Sequence, residues 1–289
     1  MQLLISERRQ LINVAYRLLG SVADAEDVVQ ETYARWYALT PAEAQAIDNP
    51  AAWLTKVAGR ICLTQLTSAR VRRERYVGEW IPEPVPDPSE WSTADPADLI
   101  TLDESVGMAF LVVLESMTPA ERVAFVLHDV FRYPYKEIAE IVGRSTAACR
   151  QLASSARRRL DASRPTPAAV EEQIVRDFKR AWESKDIDAL IGLLDPEATT
   201  VADTGGHAPV FVKSLSGAAQ IAETFTKFAD RLLGLDLKEC LVNGRPGLRA
   251  ESAGTTVTVY AFDTKAGRIT RIWAIRNPDK LQTWSDTAH

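Results

Sequence analysis

Cysteine is scarce: Cys62, Cys149 and Cys240 stand far apart in a chain of 289 residues, and any pairing leaves one over. A disulfide-stapled secreted fold is thereby excluded, no metal-ligand spacing is present, and a reducing cytoplasm is the expected compartment. No apolar run reaches the about 20 residues a membrane-spanning helix needs. The opening stretch, MQLLISERRQLINVAYRLLG, carries charges at helical spacing within its apolar residues and is expected to be a folded helix, not a secretory signal. Positive charge is not in excess either: the net charge is -5. That excludes an indiscriminate coat for nucleic acid and confines any such contact to local basic patches. Internal repeats and low-complexity tracts are missing. What is there is an ordinary globular composition, 46% hydrophobic and 25% charged, long enough for two or three domains without staples.

Up to about Val77 the periodic stretches lack Gly-rich or Pro-rich punctuation and predict helices. Leu11, Val14, Ala15, Leu18 and Leu19 form one apolar stripe. Ala25, Val28, Val29, Thr32, Tyr33 and Trp36 form a second, with Asp24, Glu26, Asp27, Gln30 and Glu31 on or near its opposite side. Pro50 suits the first turn of a third helix, which continues through Trp53, Leu54, Val57, Ile61 and Leu66. Residues 78–98 are rich in Pro, Asp and Glu and are expected to be an extended linker, not a packed element. Helical periodicity resumes at about Leu99 and lasts to Leu160, and Ser163–Pro167 closes that segment. From Val170 the pattern changes: a helix to Ser184, a short helix in DIDALIGLLDPEA stopped by its proline, and a helix from Ala218 to Leu233. Strand-like stretches are TTVAD, PVFVK, LDLKECLVN, GLRAES, TVTVYAFDT and RITRIWAIRN, separated by Gly and Asn-Gly turns. The expected domains are 1–77, a linker 78–98, 99–163, a linker 164–169, and an α+β domain 170–289.

Tyr135–Leu160 has the pattern of a helix-turn-helix. Ile138, Ala139, Ile141 and Val142 give one apolar face, Gly143 permits the sharp turn, and Ser145 is a good N-cap for the second helix. Ala148, Cys149 and Leu152 would face inward, while small Ala139 lets the helices cross closely. A second helix so placed enters a major groove with its N-terminal residues near base edges. Arg144, Thr146, Arg150 and Gln151 are then the candidate base contacts, since Arg reads guanine and Gln adenine. Arg157, Arg158 and Arg159 suit phosphates. An ordinary helical hairpin with a solvated basic face gives the same pattern, so this stretch alone leaves both readings open.

The order of segments adds a resemblance. DAEDVVQETYARWYA from Asp24 resembles the helix by which sigma factors grip RNA polymerase, NPAAWLTKVAGRICLTQLTSARVRRER from Asn49 their promoter-melting and −10-reading segment, and MTPAERVAFVLHDVFRYPYKEIAEIVGRS from Met117 their −35-reading domain. Glu79–Pro84, EWIPEP, is similar to the linker motif of the extracytoplasmic-function sigma factors that bear a SnoaL-like C-terminal domain (group 41, SigJ-like), and Asn277–Leu281, NPDKL, matches that subgroup's terminal motif. Its Asp-Gly-Gly-Gly-Lys motif stands here only as Asp203-Thr204-Gly205-Gly206-His207, so nothing is carried over from the lysine to His207.

The resemblance implies two all-α sigma domains, the second with a helix-turn-helix, followed by an α+β SnoaL-like or nuclear-transport-factor-2-like cone. It implies no cofactor, no metal and no enzymatic role. The expected partners are core RNA polymerase, through Asp24, Glu26, Asp27, Gln30 and Glu31, and promoter DNA, both as duplex and as the melted −10 strand. Arg60, Arg70, Arg72, Arg73 and Arg75 form a basic strip for the backbone, and Trp36, Tyr37 and Trp53 are candidate platforms for unstacked bases, though Trp53 lies on an apolar stripe, where a core role is the more common one. Trp80, Ile81, Pro82, Glu83 and Pro84 are expected to dock on the C-terminal domain, with Asp203 and Asn277, Pro278, Asp279, Lys280 and Leu281 as the opposing contacts, regulating the factor in cis without a separate anti-sigma protein. No membrane partner is expected. The competing reading is a ligand-sensing or catalytic cone anchored to DNA, with Asp203 and His207 as its proton-transfer groups; each can equally cap a turn.

Overall fold

The computed structural model describes residues 2–73, 79–87, 100–101, 106–160, 168–206, 214–229 and 234–284; of the side chains at 2–6, 69–73, 168 and 229 nothing is said. The chain divides into two compact units. One holds residues 1–75, 94–101 and 110–162, the other residues 76–93, 102–109 and 163–289. Both helical segments thus share a unit, and residues 79–87 belong with the C-terminal residues.

In the helical unit, α1 (Gln2–Leu19), α2 (Val22–Tyr37), α3 (Pro41–Gln45) and α4 (Pro50–Arg73) are followed by α5 (Met108–Glu115), α6 (Pro119–Phe125), a π-helical turn (Val126–Val130), α7 (Tyr135–Val142) and α8 (Thr146–Leu160). The first stripe is buried as its spacing predicts, and Ile12 and Tyr16 are buried with it. From Leu11 onward α1 is therefore enclosed on all sides and packs on α2 and α4. Enclosure traps two polar side chains, and each is satisfied. Arg17 donates to Asn13 Oδ1 at 2.8 Å and to the Thr101 carbonyl at 2.9 Å, and its guanidinium lies 5.4 Å from the Phe131 ring centroid. The tetrapeptide Thr-Pro-Ala-Glu occurs twice, at Thr40–Glu43 and Thr118–Glu121, and both copies open a helix through reciprocal Thr–Glu capping bonds with proline in the first turn.

The α+β unit contains α9 (Ala168–Glu183), α10 (Ile187–Leu193), β1 (Leu194–Asp203), β2 (Ser214–Ser216), α11 (Ala218–Ala229), β3 (Leu235–Val242), β4 (Arg245–Ser252), β5 (Thr255–Lys265) and β6 (Arg268–Ile275), then two 3-10 turns, Pro278–Lys280 and Gln282–Trp284. The sheet order is β2-β1-β6-β5-β4-β3, with β1 and β6 parallel and the other neighbours antiparallel. One face packs against α9, α10 and α11 around Phe178, Trp182, Phe225, Tyr260 and Phe262. These rings meet edge-on or tilted at 4.7–6.3 Å, and the Trp182 indole N–H donates to the Phe225 carbonyl at 2.7 Å. Strand alternation turns Val259, Ala261, Trp273 and Ile275 to the opposite face, where they are buried as well.

Three sequence expectations change. Pro196 does not stop a helix: α10 ends at Leu193, β1 begins at Leu194, and the proline falls where the β1–β6 register shifts between Leu194 and Thr199, a place where a missing N–H is tolerated. Residues 79–87 are extended as expected but not unpacked, because Ile81–Pro86 are all buried. Their backbone groups find partners on the C-terminal domain, and prolines restrict the freedom lost in docking. Among the described residues α-helix resumes at Met108; residues 88–99 and 102–105 lie outside them, as do PVFVK at 209–213 and His207.

Candidate functional site

The helix-turn-helix forms as its residues direct. Gly143 ends α7 with φ 69°, donating its N–H to the Ala139 carbonyl at 3.0 Å, and Ser145 Oγ accepts from Ala148 N at 3.2 Å to open α8. Ile138, Ile141, Cys149, Ala153 and Ala156 are buried. Arg144, Arg150, Gln151, Arg158 and Arg159 are exposed, and Thr146 is half-buried. Arg157 differs: its guanidinium makes two bonds to the Asp129 carboxylate, at 2.6 and 3.0 Å, and a third to Tyr135 Oη at 3.1 Å. Those bonds raise its pKa further above the arginine range. Arg159 donates to the Ser116 carbonyl at 2.6 Å.

On α4, Arg60 is exposed but not without a partner. It donates to the Glu140 carbonyl at 3.0 Å, while Lys56 Nζ sits 2.5 Å from Glu140 Oε2. The bond from Lys56 holds the Glu140 carboxyl below its ordinary pKa. Thr55 Oγ1 and Gln10 Nε2 both reach Tyr133 Oη, at 2.9 and 2.5 Å. Gly59 lets the helices close: a Cβ there would lie 3.0 Å from Ile141 Cγ2. Helix α7 is thus seated on the basic side of α4, and beside it lies a cleft of about 420 Å³ lined by Asn49, Trp53, Lys56, Tyr133, Glu137 and Glu140, among others. Trp53 is half-buried and meets Trp36 edge-on at 5.3 Å. Tyr37 is 69% exposed and stacks on Tyr33. Arg70, Arg72 and Arg73 lie in the last turns of α4; their side chains, like all of Arg75, are outside the described residues.

The acidic side of α2 is open. Asp27, Gln30 and Glu31 are exposed, Asp24 and Glu26 half-buried. Glu26 pairs with Arg8 at 3.1 Å and Glu31 with Arg35 at 2.8 Å. Both pairs are exposed enough to exchange for outside partners at little cost.

The α+β unit brings the remaining candidates together. Asp203 ends β1 opposite Ile275, on the face turned away from the helices. It is wholly buried: Oδ2 accepts from the Ile81 N–H at 3.1 Å and from Lys280 Nζ at 2.6 Å, and Oδ1 accepts from Gly205 N at 3.0 Å. Lys280 also donates to the Ile81 carbonyl and lies 4.2 Å from the Trp80 ring centroid. Asn277 Oδ1 caps the turn that carries Lys280, accepting from Asp279 N at 3.1 Å. Ile81, Pro82, Glu83, Pro84, Lys280 and Leu281 are buried, while Pro278 and Asp279 are exposed. Three groups that sequence reasoning missed complete the clasp. Asn243 exchanges two bonds with Val85, at 2.7 and 3.1 Å. Trp284 donates its indole N–H to the Pro84 carbonyl at 2.9 Å. Gly205, at φ 60°, leaves room for Asn277, whose Cγ a Cβ would meet at 2.5 Å. The Asn243-Gly244 pair reads in the sequence only as a turn, and Trp284 stands as one indole in a polar tail.

This arrangement binds and positions. Any proton transfer by Asp203 would first have to break the clasp. Among the described residues no group of three or more His, Cys, Asp or Glu is placed to hold a metal, and no helix is long and apolar enough to cross a membrane.

Residues 3–72 match the family Sigma-70 region 2, and residues 107–160 match Sigma-70, region 4. Over 293 residues, covering 95% of this chain and 90% of the relative, the sequence is 38% identical to the ECF RNA polymerase sigma factor SigJ of Mycobacterium tuberculosis. The chain belongs to the extracytoplasmic-function sigma factors. A second relative of this sigma factor, the probable ECF RNA polymerase sigma factor SigI of the same species, is 34% identical, with 96% of this chain and 92% of that one covered. The crystal structure of M. tuberculosis SigJ aligns with a TM-score of 0.77 at 35% identity over 96% of both chains. The sigma factor therefore carries two helical sigma domains and a C-terminal α+β domain, and its function is that of an RNA polymerase sigma factor in transcription initiation, in preference to a DNA-anchored catalytic or sensing cone.

Proposed function

We propose that this sigma factor engages core RNA polymerase through the open acidic side of α2, reads promoter DNA with α4 and α8, and is controlled in cis by the clasp between residues 80–85 and the C-terminal domain. The observation that carries the control is the buried set Ile81–Asp203–Lys280, since it ties the segment between the two sigma domains to the C-terminal domain with charge-assisted bonds. Asp24, Glu26, Asp27, Gln30 and Glu31 supply steering and register toward a basic polymerase surface. Arg150 and Gln151 project from the groove-facing helix as base readers, with Arg144 and Thr146 at its start. Arg158 suits a phosphate, and Arg157 stiffens the motif. The seat of α7 on Lys56 and Arg60 supports a restrained state, in which these cations meet the backbone only after α7 leaves.

Such a factor works in the cytoplasm, catalyses no reaction and takes its restraint from its own chain in place of a separate anti-sigma protein. Run-off transcription tests the reading: core polymerase, the full-length protein and the DNA preceding its own gene should give a discrete transcript. Core polymerase that fails to bind the protein would refute it. Arg150→Ala is expected to lose upstream-element recognition while retaining polymerase binding.

A further inference from the structure

Tyr135, the first residue of α7, takes no part in the roles above, yet three side chains converge on it. The His128 ring stacks on it with centroids 3.8 Å apart and planes 26° from parallel. The Arg150 guanidinium lies 5.5 Å from its ring centroid. Its hydroxyl accepts from Arg157 Nη2 at 3.1 Å, and Arg157 is locked to Asp129. The backbone makes this convergence possible. Residues 126–130 are wound as a π-helical turn, with Phe131 N bonded to the Val126 carbonyl at 3.2 Å, and Arg132 then reverses the chain at φ 62°. The wide turn carries His128 and Asp129 to α7 and α8, and π turns of this kind recur at functional sites. His128 Nδ1 lies 2.9 Å from the Tyr133 carbonyl, which fixes the imidazole plane.

We infer that Tyr135 is a positioning residue that sets base preference in the upstream promoter element by aiming Arg150. The inference rests on the reading of Arg150 as a base reader. An exposed arginine samples many rotamers, and a two-bond fit to guanine requires one of them. A ring beneath the guanidinium restricts that freedom through cation–π attraction while leaving its N–H groups for a base. Arg157 would compete for the same ring; its bonds to Asp129 and to the Tyr135 hydroxyl hold it at the ring's edge. One arginine is spent on structure so that the other stays aimed.

The test is selection of duplexes randomised over the upstream element by holoenzyme assembled from core polymerase and the full-length protein, followed by sequencing. The readout is the ratio of preferred to disfavoured base at the position Arg150 governs, which a loss of overall affinity does not change. Arg150→Ala should lower that ratio about tenfold or more; an unchanged ratio would overturn the base-reader reading itself. Tyr135→Phe keeps the ring and should keep the ratio. Tyr135→Leu should lower it about two- to fivefold. A Tyr135→Leu ratio equal to wild type beside a relaxed Arg150→Ala overturns the inference alone. Should Tyr135→Leu not fold, His128→Leu removes the stacked ring and leaves Tyr135 in place. The ratio must then fall in the same direction, and an unchanged ratio counts against the inference equally.

Discussion

Asp203 and Lys280 lie 77 residues apart in sequence and share one buried site, so removing either charge strands the other. Asp203→Asn should destabilise the α+β unit by about 3–5 kcal/mol in urea unfolding, with protease sensitivity appearing in the segment around Trp80. Two glycines in the left-handed region set a contrast. At Gly143 nothing lies near a Cβ, so Gly143→Ala pays only the backbone strain of about 1–2 kcal/mol. At Gly205 the same change must also displace Asn277 and should cost more and weaken the clasp. Thermal unfolding of the two variants side by side checks the order. Gly59→Leu should unseat α7 from α4, freeing Lys56 and Arg60; duplex binding should then strengthen with a steeper salt dependence. At this scale the sequence was only partly legible. Asp203 and Lys280 stood in motifs and could be named, but that one neutralises the other follows only once β1 and the terminal turn are brought together.

Elements were far more legible. Stripes at helical spacing placed α1, α2 and α4, and Gly143 with Ser145 placed the turn between α7 and α8, because each signal is local. The repeated Thr-Pro-Ala-Glu that opens α3 and α6 is an equally local signal, one that sequence reasoning missed. Three two-residue hairpin turns, at Asn243-Gly244, Ala253-Gly254 and Ala266-Gly267, have positive φ at both positions, the twist that antiparallel neighbours need. The π-helical turn had no such signature, since one extra residue per turn is a choice made by packing. Helix α9 carries a prediction of its own. Glu171 is pushed above the ordinary carboxylate pKa by burial, against the opposing pull of Arg245, and Asp263 on β5 is raised by burial as well. A raised folded pKa means that protonation favours the folded state. This contribution is full below the unfolded value near 4 and is lost as pH rises through the folded value. Glu171→Gln cannot lose it, so urea midpoints of wild type and variant should diverge in the variant's favour between acid and neutral pH. Parallel curves would contradict the assignment.

Across the molecule, the least legible feature was the partition: a stretch that composition marks as a linker is buried in the α+β unit, because the groups that receive it come from β1, the turn after β3 and the terminal turns. Cutting the chain before Asn277 should release residues 80–85 while leaving most of the α+β unit, and cutting near Pro165 should remove that unit altogether. The two truncations should give different promoter outputs in run-off transcription; identical outputs would dissociate the clasp from control. The clasp also imposes an order in time. Val85 waits for Asn243, 158 residues away, and Pro84 for Trp284, 200 residues away. At ~5–20 residues per second, a ribosome needs roughly 10 to 40 s to cover that distance. Each nascent chain spends that interval with α4 already made and the clasp not yet closed, so newborn and finished copies of one polypeptide differ in conformation.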